Sequence, residues 1–484
     1  MNRLWIILCS VIGFVYTAGI CSPDTLDTNS TEIKPAQTKT NNVKANDVIA
    51  EFGNSKISGD IALFEGQIVK GYGTAQVGPF EHAWIQQASG LLRLDTKFNE
   101  HTRMIIEGQA DVQFSYTIPQ SLWDKEFVEN QKVANFSFWL KQAKGTYNFG
   151  GLDAKTFPLQ IDLGEFEYKY NPDVRNLGEY LFRASAYPVY FLNWFDGAFY
   201  RMAGLKVTTH PVDWFNFDAL LFSELYQVPL QDFSLAGVAT ISNPEIHLGN
   251  YTIGKVISVC AGIDFNRLFS VDERYTTTTS GARADDNMYS RDSIGVDSNG
   301  MTMYKDSLYY TFRSTKVALT ASIDFKGFFR CPIFGSEDLK LYGEMAILGL
   351  KDYVPKNPIR PDTFYANMSQ RMPIMVGFNF PAFKILDVLC LELEYYHSPF
   401  LPSSRVAFKE GIPVPDNTTG SIVSIQDTKW SVYLKKRIGA FMVVAQAARD
   451  HYQPLNNNVG YTERGDVMAE GKDWWWMVKL QYGY

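Results

Sequence analysis

Residues 102–116 alternate without a break. The even positions, Thr102, Met104, Ile106, Gly108, Ala110, Val112, Phe114 and Tyr116, are largely apolar. The odd positions, Arg103, Ile105, Glu107, Gln109, Asp111, Gln113 and Ser115, are largely polar. Successive side chains of a strand point to opposite faces, so this period gives one apolar and one polar face. The stretch is also about as long as a tilted strand must be to cross a bilayer. Residues 316–326 repeat the pattern, with Val317, Leu319, Ala321, Ile323 and Phe325 against Lys316, Thr320, Ser322, Asp324 and Lys326. So do residues 339–347 and 389–395, where Lys340, Tyr342 and Glu344, then Cys390, Glu392 and Glu394, form the polar sets. Sustained helical periodicity is hard to find. The expected fold is therefore all-β. Alternation alone leaves open whether the apolar face looks into a soluble core or out into lipid.

Three features favour lipid. Aromatic residues are many, with 10 Trp, 27 Tyr and 34 Phe, and they gather near strand ends. Examples are Tyr395-Tyr396, Phe328-Phe329, Tyr309-Tyr310, Trp194-Phe195 and Trp474-Trp475-Trp476. Membrane barrels carry aromatic girdles at both interfaces. The connections are unequal: short around 437–439 and 99–100, long and polar at 270–307, 352–370, 400–427 and 450–472. Long structureless loops are uncommon in compact domains, whereas short turns at one end and long loops at the other are usual in membrane barrels. The third feature is the terminus. Trp474, Trp476, Val478, Leu480, Tyr482 and Tyr484 share one face, and Trp475, Met477, Lys479, Gln481 and Gly483 the other.

That last strand resembles the C-terminal strand of Gram-negative outer-membrane barrels, which the barrel assembly machinery reads; the usual final residue is Phe, and here it is Tyr484. The resemblance implies an antiparallel transmembrane barrel. Counting strand-like segments gives sixteen as the expected number, with 14 and 18 as neighbouring even counts. A barrel of that size leaves an aqueous channel unless a loop fills it.

The organisation reads as a signal peptide at 1–21, a flexible polar linker at 22–50 and a barrel at 51–484. Arg3 precedes an apolar run at 4–16, and Thr17-Ala18-Gly19 supplies small residues near a cleavage point. Cys21 follows Ile20, where a lipobox wants a small residue, so lipidation is not expected. Cys9, Cys21, Cys260, Cys331 and Cys390 are dispersed, which suggests lone thiols rather than a disulfide framework. A net charge of -7 argues against a nucleic-acid partner. No later run gives about 20 consecutive apolar residues, so a helical span is excluded.

Residues 159–196 break the pattern. They begin as a strand and become aromatic and Pro-punctuated, with Pro172 and Pro188 and an expected short helix near 176–183. The stretch resembles the segment that narrows the lumen in substrate-selective porins, and this implies that residues 165–203 enter the barrel; the alternative is a folded external loop or a periplasmic connection with no role in permeation. Selectivity in pores comes from polar side chains lining the constriction. The candidates from the polar faces are Arg93, Asp95, Lys97, Arg103, Glu107, Asp111, Lys340, Glu344, Glu392, Glu394 and Lys479, with Arg175 and Arg183 from the unusual stretch. Both signs occur, so no ion filter is announced.

No metal-ligand spacing, nucleophile elbow or phosphate loop is found around His82, His101, His210, His247, His397 and His451. No enzyme and no cofactor is expected. The expected function is an outer-membrane, porin-like channel for small hydrophilic solutes, with lipid and the assembly machinery as partners and a homotrimer as one admissible assembly. The alternative is an interaction barrel with a blocked lumen, serving adhesion, secretion or surface assembly.

Overall fold

The computed structural model describes residues 50–71 except 53, 80–113, 135–182, 200–224 and 232–270 except 245 and 249–250. It further describes 288–309 except 297, 314–328, 333–350, 367–397, 427–451 and short stretches up to 483. All lie in the compact unit Asn46–Tyr484. The signal-peptide and linker readings, and Arg183, fall outside the described residues.

Sixteen strands close into one antiparallel barrel. In chain order they are β1 (Ser55–Gly71), β2 (Phe80–Lys97), β3 (Thr102–Gln113), β4 (Asn135–Asn148), β5 (Phe157–Tyr168), β6 (Tyr200–Val212), β7 (Phe215–Glu224) and β8 (Asp232–Ser242). Then come β9 (Ile257–Ser270), β10 (Ser314–Asp324), β11 (Lys340–Ile347), β12 (Ile374–Asn379), β13 (Val388–Tyr395), β14 (Thr428–Ile438), β15 (Phe441–Arg449) and β16 (Trp474–Gly483). Each pairs with its sequence neighbour, and β16 pairs back onto β1 with Asp60 opposite Gly483 and Ile68 opposite Trp475. Closure leaves no free sheet edge, which is the condition for a sheet to span a membrane. The sequence-based count of sixteen is met.

Burial settles the direction of the alternation. Glu107, Gln109, Asp111, Thr320, Glu344, Glu392, Ser431 and Gln446 are buried, while Leu92, Ile106, Leu163, Leu319, Val376, Leu393 and Leu480 are exposed. The polar face is therefore inside and the apolar face outside, the reverse of a soluble barrel. Exposed aromatics fall at the two ends of the wall. Phe98, Tyr147, Phe149, Trp214, Phe380, Phe441 and Tyr482 stand at the end with short turns. Trp84, Phe136, Phe233, Phe269 and Tyr395 stand at the other, where Trp84 meets Trp476 edge-on at 6.1 Å. Two aromatic rims around an aliphatic belt are the features of a membrane-spanning barrel.

The aromatic pairs read from sequence divide between the faces. Tyr395 is exposed, but Tyr396 and Trp475 are buried inside. Adjacent strand residues must diverge, so a doublet contributes one ring to the girdle and one to the interior. The short connections behave as expected: β2 joins β3 through 98–101 and β14 joins β15 through 439–440, both at one end; most of each long loop expected at 352–370, 400–427 and 450–472 lies outside the described residues. The 270–307 segment corrects one expectation, since Met288–Val296 and Thr302–Tyr309 pair as a hairpin within it. Cys260 and Cys390 are free, buried thiols.

Candidate functional site

The wall places Arg93, Asp95, Lys97, Arg103, Glu107, Asp111, Lys340, Glu344, Glu392, Glu394 and Lys479 on its inner face, because the register aligns them with other inward residues. Arg93 lies opposite Glu107, Glu344 opposite Thr320, and Glu394 opposite Lys429. They separate into two groups with different roles.

The first group holds a segment inside the barrel. After β5, residues 169–182 turn inward and, apart from Pro172, lie buried or half-buried. Glu392 on β13 accepts hydrogen bonds from the backbone N–H groups of Arg175, Asn176 and Leu177 at 2.5, 2.8 and 2.9 Å, and from the Tyr342 hydroxyl at 2.9 Å. Glu344 on β11 accepts from the N–H groups of Glu179 and Tyr180 at 3.0 and 2.7 Å and from Asn171 Nδ2 at 2.9 Å. The Tyr170 hydroxyl also donates to Glu344. Burial, and then the Glu344 charge, push that hydroxyl well above its ordinary range, which keeps it a donor. Glu394 on β13 accepts from the Tyr180 hydroxyl at 2.8 Å and pairs with His451 Nε2 at 2.5 Å. Asp450 accepts from Asn176 Nδ2 at 2.8 Å and from Trp475 Nε1 at 2.9 Å, tying the segment to β16. Ionised acceptors on buried N–H groups give the stronger class of hydrogen bond, and the turns would otherwise bury orphaned donors.

Two glycines make room for this seat. Gly178 has φ +101°, and a Cβ there would fall 2.8 Å from Met375 Cε and 2.9 Å from Val174 Cγ2. Gly377 lies under the Tyr342 ring, where a Cβ would come within 2.3 Å of the ring carbons. That space lets Tyr342 lie flat and deliver its hydroxyl to Glu392. The short helix expected near 176–183 is not formed over the described part. Gly178 and Glu179 both have positive φ, at +101° and +61°, outside the helical region. Their amides turn toward carboxylates rather than toward preceding carbonyls. We expect Gly178→Val to cost about 1–3 kcal/mol at the seat. Trypsin should then cut the folded barrel at Lys169 or Arg175 much faster than the parent, while the strands stay protected.

Apolar packing completes the filling. Val174, Leu177, Leu181 and Phe182 join Met202, Leu220, Phe222, Val238, Ala318 and Met375 in one buried cluster. Phe182 meets Tyr168, Tyr170 and Phe222 edge-on at 5.5, 5.7 and 5.6 Å. A second cluster fills the inner face of β13 to β16 and β1 with Tyr433, Val444, Trp475, Met477 and Phe64. Lys340 and Arg175, expected as lining groups, join the seat instead: Lys340 pairs with Asp173 at 3.2 Å and Glu337 at 3.1 Å, and Arg175 with Glu337 at 3.0 Å. Lys479 lies over the Phe64 ring at 5.7 Å.

The second group lines β2 to β6. Arg93 pairs with Glu107 at 2.7 Å and with Asp95 at 3.6 Å. Arg103 donates through Nε to Asp95 at 2.7 Å. Lys206 pairs with Asp162 at 2.9 Å. Asp111 accepts from Gln87 and Gln109, both at 2.9 Å. Arg93 and Arg103 keep side-chain exposures of 33% and 34%, so water reaches this wall, unlike Glu344 or Glu392. Among the described residues no group of three or more His, Cys, Asp and Glu can hold a metal ion.

No family model and no curated protein matches the chain. Solved structures give fold-level likenesses. Pseudomonas putida OprB is similar at 11% identity, with 89% of this chain and 94% of that one covered and a TM-score of 0.45. OmpF of Salmonella typhi, solved with daunomycin, gives 11%, 89%, 98% and 0.42. A Rhodopseudomonas blastica porin variant gives 8%, 89%, 100% and 0.41.

Proposed function

We propose that this chain is a porin-like outer-membrane channel for small hydrophilic solutes, and that its path runs along the inner wall of β2 to β6. The observation that carries the reading is the pairing of an inside-out wall with one water-accessible polar sector. Residues 169–182 pack against the side of β6 to β14, and the second apolar cluster lines β13 to β16 and β1. The charged wall of Arg93, Asp95, Arg103, Lys144, Asp162 and Lys206 is what remains for solutes. The signal peptide at 1–21 and the final strand ending in Tyr484 supply export and recognition by the barrel assembly machinery. A homotrimer fits one stretch of outer wall: Glu65 faces outward and accepts from Gln86 Nε2 at 3.0 Å on both oxygens. A carboxylate facing lipid is costly, and a neighbouring copy would cover it.

One observation favours the interaction barrel instead. Inward groups toward the long-loop end, among them Gln87, Asp111, Glu394, Lys429 and Trp475, are buried around the whole circumference. The hairpin of the long 271–313 connection also exposes Ile294, Val296, Met301 and Met303. Planar-bilayer recording of the full chain separates the readings. Stepwise single-channel currents are expected; a purified, folded barrel that never conducts would establish the blocked-lumen reading.

A further inference from the structure

We infer that Asp95 sets the charge selectivity of this channel, by holding the lumen wall electrically compensated so that it favours neutral solutes carrying both hydrogen-bond donors and acceptors. The inference rests on the channel reading above.

Two water-accessible guanidinium groups on the inner wall, Arg93 and Arg103, converge on this one carboxylate. Arg103 binds it through Nε at 2.7 Å and through its terminal nitrogen, and Arg93 approaches at 3.6 Å while holding Glu107 at 2.7 Å. Next along the wall, Lys206 is matched by Asp162 at 2.9 Å, with the Thr146 hydroxyl donating to the same carboxylate at 2.5 Å. Charge filters depend on like charges gathered and left facing the path. On β2 to β6, Arg93, Arg103 and Lys206 each have a carboxylate on the same wall within ion-pair distance, and Lys144 is attracted at longer range to the Asp162 that Lys206 holds. The carboxylates opposite, Glu344 and Glu392, are spent on buried amides and do not face the path. A bound pair acts on a passing ion as a dipole, whose field decays faster than that of a single charge and is screened beyond about 8 Å at physiological salt. A solute with no net charge loses nothing to such a wall and can exchange water for guanidinium and ammonium donors and carboxylate and hydroxyl acceptors.

Asp95 is the pivot because it answers two cations. Neutralising it leaves net positive charge beside the path. One unit charge about 6 Å away in a water-like medium acts by about 0.7 kcal/mol, which is roughly a threefold change in ion occupancy.

Reversal potentials of the full chain in asymmetric KCl test this. The parent channel is expected to show a chloride-to-potassium permeability ratio near unity. Asp95→Asn should raise it about tenfold, roughly threefold up for chloride and threefold down for potassium, Arg103→Gln should lower it by a similar factor, and the double variant should return it to the parent value. Asp95→Glu should keep the parent ratio. Swelling of liposomes should be faster with a neutral sugar than with a singly charged sugar acid of similar size. A conducting parent with strong ion preference, or an Asp95→Asn channel with an unchanged ratio, overturns this inference and leaves the channel reading standing. A folded parent that passes no current overturns both. Should Asp95→Asn fail to fold, Arg103→Gln alone decides: no shift toward potassium sinks the proposal.

Discussion

Replacing both seat carboxylates, Glu344→Ala with Glu392→Ala, is expected to raise single-channel conductance about twofold or more, because a barrel of sixteen strands is wide enough for an aqueous channel once its filling leaves. The reasoning is local. Glu392 alone answers the amides of Arg175, Asn176 and Leu177, and Glu344 those of Glu179 and Tyr180. Truncating them orphans these donors, at about 1–3 kcal/mol for each group left buried without a partner. For five groups that is about 5–15 kcal/mol, at least comparable with what the apolar contacts of Val174 and Leu177 restore, at about 1.5–3 kcal/mol for each fully buried side chain. The wall itself should survive, since its ladder is backbone to backbone and neither side chain takes part in it. Heat-modifiable migration of the folded barrel would confirm this. The expected record shows larger current steps and more frequent transitions, as a segment freed at its middle remains anchored to β5. Unchanged conductance in a folded variant would mean that residues 169–182 are not what limits the path.

The sequence carried the wall but not the seat, and the reason is physical. The alternation at 102–116 or 389–395 is a local signal, because each residue's face follows from its neighbours. It put Glu344, Glu392 and Glu394 on the inner face. Their task depended on partners far away: Asn176 and Glu392 are 216 positions apart. Those partners are also backbone amides, which have no side-chain signature. One clue was present. Asn171-Pro172-Asp173 and Asn176-Leu177-Gly178 are turn-forming tripeptides, and they argued against the helix expected near 176–183. The direction of the wall was likewise symmetric in sequence. Alternation reads the same for lipid outside and water inside as for the reverse, and only the burial of Gln109 and Asp111 against the exposure of Ile106 decided it. The paired charges of β2 and β3 lay between these cases. Arg93, Asp95, Arg103 and Glu107 were all legible as inward residues. Their mutual pairing needed the register that sets Arg93 opposite Glu107 and Asp95 opposite Ile105.

The inside-out direction makes the second large prediction. Leu319→Arg is expected to destabilise the barrel in lipid by about 2–4 kcal/mol, the cost of a basic residue at the midplane of an outer-membrane wall. Leu319 lies near the middle of β10, opposite Ala261 on one neighbour and Met345 on the other, and it is 45% exposed. On a water-facing surface the same change should fall within about 0.5 kcal/mol of neutral. The two surroundings therefore predict outcomes that differ by more than the error of a denaturant titration. Reversible urea unfolding in vesicles, followed by tryptophan fluorescence, reads the difference directly. A matched substitution on the inner face supplies the control. Gln481→Arg adds the same charge one strand from β1, at a half-buried inward position opposite Ala62 and Met442. There the arginine can extend toward the wet mouth of the barrel, so stability should change by less than about 1 kcal/mol. If Leu319→Arg were as stable as the parent while Gln481→Arg unfolded, the wall would have to face water outside and a dry core inside, and the barrel could not be a membrane channel. The expected asymmetry instead ties the period-two pattern of the sequence to lipid surroundings.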